Sequence, residues 1–236
     1  MNYILAINPA DYNSTDIFRS RPYLTPAITG LYVRRDGNLY ISENIVSMEG
    51  CFLFITFEYN ANIRNYERLA GEIIYVCRKY NTGGIILNGY EDTKADSLIR
   101  LLKKNIDIKI YISSEMKSSA DCIKVVSSAI SGGTLSDMLK SYGKVYGPDH
   151  IALAAELIRS DFTLPAFSGT GRELTLDQTR DIIEKYRTSS FYSSELETNY
   201  FTYKDSGKAH MVLYDNSYSI RQKILLGKSL GIREVF

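Results

Sequence analysis

The sequence lacks most of the features that mark a specialised class of protein. It contains no Trp, two His and three Cys among 236 residues, and its formal net charge is +1. Because it has neither an excess nor a run of Lys and Arg, we expect neither nucleic acid nor a membrane surface as a partner. The cysteines, Cys51, Cys77 and Cys122, follow no metal-binding spacing and indicate buried free thiols. With only His150 and His210 to complement them, we expect no metal and no cofactor.

Long apolar runs are also missing, since none approaches the roughly 20 residues that a membrane helix needs. The first residues, MNYILAINPADYN, hold one short apolar run with no basic leader before it. This pattern predicts a first β-strand rather than a signal peptide. From the absence of a signal we expect a cytoplasmic protein.

What the chain does have is a regular alternation of strand-like and helical patterns. Runs such as CFLFITFEY (51–59) and GGIILNGYED (83–92) are mainly apolar, as buried parallel strands are. About eight such strands, separated by helical periodicity, predict an α/β fold, a (β/α)8 TIM-type barrel formed by one domain over residues 1–236. An open doubly wound sheet is the alternative, although no Gly-x-Gly-x-x-Gly follows the first strand.

Local signals add two hairpins and two helix starts to this pattern. Asp36-Gly37 and the segment Asp205–Gly207 are typical of turns between antiparallel strands. Thr134 with Asp137, and Thr175 with Gln178, have the spacing of capping boxes. The second hairpin and the second capping box both fall late in the chain, so we expect antiparallel structure there beside the barrel.

Acidic residues recur where the predicted barrel strands end. They are Glu58, Glu91, Glu115, Glu156 and Asp215. Barrel enzymes place their chemistry at the carboxyl ends of their strands, and a pair of carboxylates there is what glycoside hydrolysis usually requires. Taken singly, each acid is better explained as a residue that leaves a strand for solvent or caps the next helix. Their recurrence favours a polar cleft, so this cleft and separate exposed acids remain alternatives.

The last third of the chain resembles the closing segment of family 18 glycoside hydrolases, especially their chitinase-like and spore-cortex branch. That branch has a Tyr-Phe-x-Tyr element, then an Asp, a Ser and a Lys around a helix start, and a Gly before the eighth strand. The matching residues here are Tyr200, Phe201, Tyr203, Asp215, Ser219, Lys223 and Gly231. The resemblance implies a small α+β insertion, residues 166–212, between the last two barrel strands.

The family's catalytic motif on its fourth strand, Asp-x-x-Asp-x-Asp-x-Glu, is absent from the matching stretch. Its three Asp positions fall on Gly83, Ile86 and Asn88, and the position of the general acid falls on Tyr90. Glu91 comes one residue later, which on a regular strand places it on the opposite face. Glu91 could reach the mouth of the barrel only if the strand ends or bulges near Gly89.

We therefore take as the leading hypothesis a family-18-like barrel that has lost its catalytic acid and serves as a carbohydrate-binding or interaction domain. The resemblance implies a chitin- or peptidoglycan-like glycan ligand and offers a spore or cell-wall location as an alternative to the cytoplasm. One alternative is an active hydrolase of an N-acetylglucosamine-containing glycan, with Glu91 as a shifted general acid. Another is an unrelated (β/α)8 enzyme, and a protein partner replaces the glycan if none binds. The substrate-binding residues we predict are Asn88, Tyr90, Glu58, Tyr59, Glu115, Glu156 and Asp215.

Overall fold

The structure is a computed structural model. It describes residues 1–12, 17–42, 50–90, 95–118, 120–166 and 171–236. The strands, in chain order, are β1 (Asn2–Ile7), β2 (Leu24–Val33), β3 (Leu39–Ile41), β4 (Phe52–Phe57), β5 (Gly84–Asn88), β6 (Lys109–Ser113), β7 (Ile123–Ser127), β8 (Ile151–Ala154), β9 (Arg159–Leu164), β10 (Arg172–Glu173), β11 (Phe191–Ser193), β12 (Thr198–Asp205), β13 (Lys208–Tyr214) and β14 (Glu234–Val235). The helices are α1 (Pro9–Tyr12), α2 (Ile17–Ser20), α3 (Tyr66–Lys79), α4 (Ala95–Asn105), α5 (Leu135–Tyr146), α6 (Leu176–Tyr186) and α7 (Ser217–Ser229), with a 3-10 turn at Pro148–His150.

Eight parallel strands close into a barrel. Their order is β1, β14, β8, β7, β6, β5, β4 and β2, and β1 also pairs with β2, which closes the sheet on itself. The short strand β3 adds to β2 outside the barrel. The TIM-type barrel predicted from the sequence is thereby confirmed. No helix among the described residues is long and apolar enough to cross a membrane.

The chain divides into two compact units, which we describe in turn. The first comprises residues 1–126, 149–152 and 233–236 and contains most of the barrel. Because side chains alternate along a strand, Ile85 and Leu87 of β5 pack outward in the cluster that includes the buried faces of α3 and α4. Ile86, between them, packs inward with Tyr111. The interior of the barrel at this level is therefore a packed apolar core.

The hairpin of β2 and β3 turns at Asp36-Gly37, as predicted. Gly37 has φ +80°, and a Cβ there would lie 2.5 Å from the carbonyl oxygen of Asn62. Only glycine fits both this left-handed backbone and this close approach. The hairpin tip therefore packs directly on the chain that leads from β4 to α3.

The second unit, residues 127–148 and 153–232, is built on an antiparallel sheet of order β10-β9-β13-β12-β11. Its hairpin turns between β12 and β13 at the predicted place. α6 packs Ile182 and Ile183 on one face of the sheet, and its predicted capping box at Thr175 and Gln178 is present. The predicted insertion, 166–212, lies within the segment that carries this sheet, which starts earlier, at β9.

Candidate ligand site at the barrel mouth

The inner face of β5 carries no charge at the positions that the family motif would fill. Ile86 is 2 % exposed and lies in the barrel interior, beside Phe54 of β4 in the strand register. Tyr111 packs in the same interior, with its ring centroid 5.7 Å from that of Phe52, and its burial raises the pKa of its phenol. Asn88, two residues above Ile86, is half-buried and lies beside Thr56. The motif positions on this strand thus hold an alkyl group and a neutral amide.

The strand ends at Asn88, and the next peptide leaves the parallel ladder. The Gly89 N–H donates to the Ser113 hydroxyl oxygen at 3.3 Å, and that hydroxyl donates to the Gly89 carbonyl at 3.0 Å. The regular alternation that would turn Glu91 away from the mouth therefore does not extend past Asn88. Glu91 itself lies outside the described residues, so its role as general acid stays a prediction.

Two tyrosines that follow β4 and β5 lie against each other. Tyr59 is 60 % exposed and Tyr90 is 45 % exposed. Their ring centroids are 5.4 Å apart and their planes meet at 88°, an edge-to-face arrangement. We call this pair the tyrosine platform. Both residues were predicted as substrate-binding residues, and the structure brings them together.

Glu58 holds the neighbouring hairpin. Its carboxylate accepts the backbone N–H of Arg35 at 3.1 Å, and its own N–H donates to the carbonyl of Val33 at 2.9 Å. Glu58, which directly precedes Tyr59, therefore fixes the hairpin at the start of the tyrosine platform. Its role in substrate binding stays a prediction, as does that of Glu115, which is exposed in the turn after β6.

In the second unit, Glu156 follows β8 and is exposed. The Ser127 hydroxyl donates to its carboxylate at 2.5 Å and accepts the N–H of Ala129 at 3.1 Å. Glu156 also lines an open groove of about 470 Å³, together with Ser131, Arg159, Phe162 and Glu173. The carboxylate is therefore accessible to a polar ligand. Its role in binding stays a prediction.

Asp215 is enclosed. Its side chain and that of Lys223 are both 0 % exposed, and the Lys223 ammonium donates to it at 2.6 Å. The backbone N–H of Ile158 and the hydroxyls of Thr198 and Ser219 also donate to it, at 3.0, 2.7 and 2.8 Å. With two donors on each carboxylate oxygen, this geometry favours a structural role, and substrate binding by Asp215 stays a prediction without support from its surroundings.

Sequence reasoning missed Ser113. It is the last residue of the run IKIYIS and shares strand parity with the inward-facing Tyr111, a signal that could have placed it beside the end of β5. Metal chemistry has no candidate here: within the described ranges, no three His, Cys, Asp or Glu side chains are grouped so as to hold an ion. Cys51 and Cys77 are buried and Cys122 is half-buried, and none of the three forms a disulfide.

The sequence matches no protein-family model and no curated protein. Solved structures do match. The spore cortex-lytic enzyme SleL of Bacillus cereus has a TM-score of 0.71 and 19% identity, over 99% of this chain and 69% of that chain. A chitinase from Chromobacterium violaceum has a TM-score of 0.68 and 12% identity, over 100% of this chain and 93% of that chain. A class V chitinase from Nicotiana tobaccum has a TM-score of 0.65 and 12% identity, again over 100% and 93%. At such identities the likeness concerns the fold alone: the chain has the barrel fold of spore cortex-lytic enzymes and chitinase-like glycosidases, as the sequence resemblance implied.

Proposed function

We propose that this protein binds an N-acetylglucosamine-containing glycan at the mouth of its barrel and does not hydrolyse it. The observation that carries the proposal is the tyrosine platform, which lies beside a β5 strand without carboxylates. The spore cortex-lytic enzymes and chitinases that share the fold support a glycan as the ligand, of peptidoglycan or chitin type.

The chemistry of β5 favours binding over hydrolysis. The general acid of a glycosidase must protonate the leaving oxygen, and loss of such a group typically removes about 10²–10⁴-fold in rate. Tyr90 occupies the position of that acid in the family motif, and Ile86 and Asn88 occupy two positions of its aspartates. Asn88 keeps hydrogen-bond donors and an acceptor suited to an acetamido group, but it cannot ionise.

The platform supplies what a sugar needs for binding. A pyranose ring presents an apolar face of C–H groups, which packs on exposed aromatic rings, while its hydroxyls require nearby polar groups. Tyr59 and Tyr90 present both ring surface and phenolic hydroxyls, and Asn88 adds an amide at the end of β5. The combination suits a neutral sugar.

Calorimetric titration with chitotetraose, and in parallel with a soluble peptidoglycan fragment, tests the binding. We expect saturable binding that weakens at least tenfold in Tyr59→Ala and in Tyr90→Ala. Tyr75→Ala is the matched control, because Tyr75 is 65 % exposed on α3 and belongs to no part of the site. Equal affinity of wild type and both platform variants, or no binding of either glycan, would contradict the proposal.

A chromogenic chitobiose substrate separates this proposal from its nearest alternative, an active hydrolase that uses Glu91. We expect no turnover above the uncatalysed rate. Turnover that disappears in Glu91→Gln would show that the shifted acid works and that the binding-only function is wrong. Turnover that survives Glu91→Gln but requires Glu58, Glu115 or Glu156 would favour the unrelated barrel enzyme.

A further inference from the structure

Just beyond β5, the chain is hydrogen-bonded to a side chain of β6, where backbone groups of that strand would ordinarily be its partners. β5 and β6 pair in parallel up to Leu87 and Ile112. One step further, the Ser113 hydroxyl both accepts from the Gly89 N–H and donates to the Gly89 carbonyl. A single hydroxyl therefore satisfies both polar groups of the residue that precedes Tyr90, and Gly89 is buried in this arrangement.

The direction of this contact matters for the site. Ser113 has the strand parity of Tyr111, whose side chain lies inside the barrel, so the hydroxyl of Ser113 lies on the inner side of β6. The Gly89 peptide, which is hydrogen-bonded to this hydroxyl, therefore lies against the inner side of the end of β6. Tyr90 follows directly and meets the ring of Tyr59.

Gly89 itself does not fix this geometry. Gly89 has no side chain to restrict its backbone, and a glycine without a hydrogen-bonded partner samples many conformations. If the hydroxyl were removed, the buried N–H and C=O of Gly89 would each lose the partner seen here, which is costly for buried peptide groups. The chain would be expected to move so that water could reach them.

We propose that Ser113 is a positioning residue, which fixes the Gly89 peptide and thereby holds Tyr90 in the tyrosine platform. This inference rests on the proposed function for its effect on glycan affinity, although its effect on the two rings does not depend on any ligand. Ser113 acts through Tyr90 and has no role as an acid or base.

Three variants test it. Ser113→Ala removes the hydroxyl, and Ser113→Thr restores it on a residue that strands accept. Ser141→Ala is the matched control, because its exposed hydroxyl donates to the Asp137 carbonyl at 2.8 Å in α5, in the second unit. The measurements are hydrogen exchange of the Gly89 amide, nuclear Overhauser contacts between the rings of Tyr59 and Tyr90, and chitotetraose affinity.

In Ser113→Ala we expect Gly89 exchange to accelerate at least tenfold, the ring contacts to weaken, and affinity to fall about five- to tenfold, in line with the loss of one or two hydrogen bonds. Ser113→Thr should recover all three, and Ser141→Ala should resemble wild type. A merely structural contribution of Ser113 would lower stability without moving the rings.

Unchanged Gly89 exchange in Ser113→Ala would overturn the inference. Faster exchange with intact ring contacts would also overturn it, since Tyr90 would then be held by other means. If the wild type binds no glycan, the proposed function fails, and the ring contacts in the same three variants still decide whether Ser113 positions Tyr90.

Discussion

At Asp215 the chain buries a carboxylate among four donors, whereas at the end of β5 it places neutral side chains at the positions where the family motif has carboxylates. Both sites belong to segments that the sequence resemblance singled out. At the first, the Asp, Ser and Lys of the resemblance are all present and buried, and Ser219 and Lys223 both donate to Asp215. At the second, the apolar run and the position in the barrel match the family motif, and the acids of that motif are absent.

The difference between the two sites distinguishes residues that stabilise the fold from residues that a hydrolase would need only for its reaction. A buried carboxylate cannot be lost singly, because its lysine would remain as an uncompensated charge in the core. Carboxylates of a catalytic strand carry no such penalty, and an apolar residue such as Ile86 packs more favourably in a barrel interior. Under the proposed binding function, the core requires the buried pair of Asp215 and Lys223, and β5 requires no carboxylate.

The largest effect is expected at the buried ion pair. Lys223→Met would leave the Asp215 carboxylate in the core without its cation, and we expect the free energy of unfolding to fall by about 3–5 kcal/mol. Lys228→Met, on the exposed face of the same helix, should change it by less than about 0.5 kcal/mol. Urea unfolding followed by circular dichroism measures both.

A loss below about 1 kcal/mol in Lys223→Met would contradict this interpretation of the closing segment. The double variant Lys223→Met/Asp215→Leu sharpens it. Because it removes both charges, it should recover part of the loss seen in the single variant. If it recovers nothing, packing at these positions and not charge accounts for the effect.

The next largest effect is expected on β5, when carboxylates are introduced one at a time at positions of the family motif. Ile86→Asp places a carboxylate among the apolar side chains of the barrel interior, and we expect a loss of at least about 3 kcal/mol. Asn88→Asp, two residues further on the same face, is half-buried near the mouth and should cost less than about 1 kcal/mol. Urea unfolding of both variants gives the comparison.

Ile86→Val is the control for volume alone, at about 0.5–1.5 kcal/mol. If Ile86→Asp were as mild as Ile86→Val, the interior would accommodate a charge at this level. The strand would then be closer to a catalytic one than its sequence indicates.

Much of the fold could be predicted because its signals are local. The Asp36-Gly37 turn, the capping box at Thr175 and the apolar run of β5 all appear where the sequence placed them. The first half of β2 was missed, since Pro26 and Gly30 interrupt it and strand patterns rarely contain either. The predicted capping box at Thr134 does not form, because the Thr134 hydroxyl donates to the Asp137 carboxylate and caps no backbone N–H.

The candidate site was predictable only in part, for a physical reason. Residues at the carboxyl ends of predicted barrel strands are expected at the barrel mouth, and this rule predicted Tyr59, Asn88 and Tyr90 as site residues. The hydrogen-bond partners of these residues and of their neighbours come from segments that are distant in the sequence. The hold of Ser113 on Gly89 spans 24 residues, and the enclosure of Asp215 needs donors from β12, α7 and the chain before β9. No pattern within one strand encodes such partners.

The smallest effect on stability is expected at the platform itself. Tyr90→Ala removes a ring that is 45 % exposed and pairs edge-to-face with Tyr59. Because truncation of such exposed rings costs little, we expect the free energy of unfolding to change by no more than about 1 kcal/mol, and by a similar amount in Tyr59→Ala. The same urea measurement, with Tyr75→Ala beside it, decides this. A loss of 3 kcal/mol would place Tyr90 among the residues that serve the fold, and any weakening of glycan binding in that variant would then reflect unfolding. A loss within about 1 kcal/mol, together with a tenfold fall in affinity, would instead show that Tyr90 contributes to binding and little to folding. Asp215 offers no such test, because its side chain is fully buried beside Lys223 and any change there alters stability.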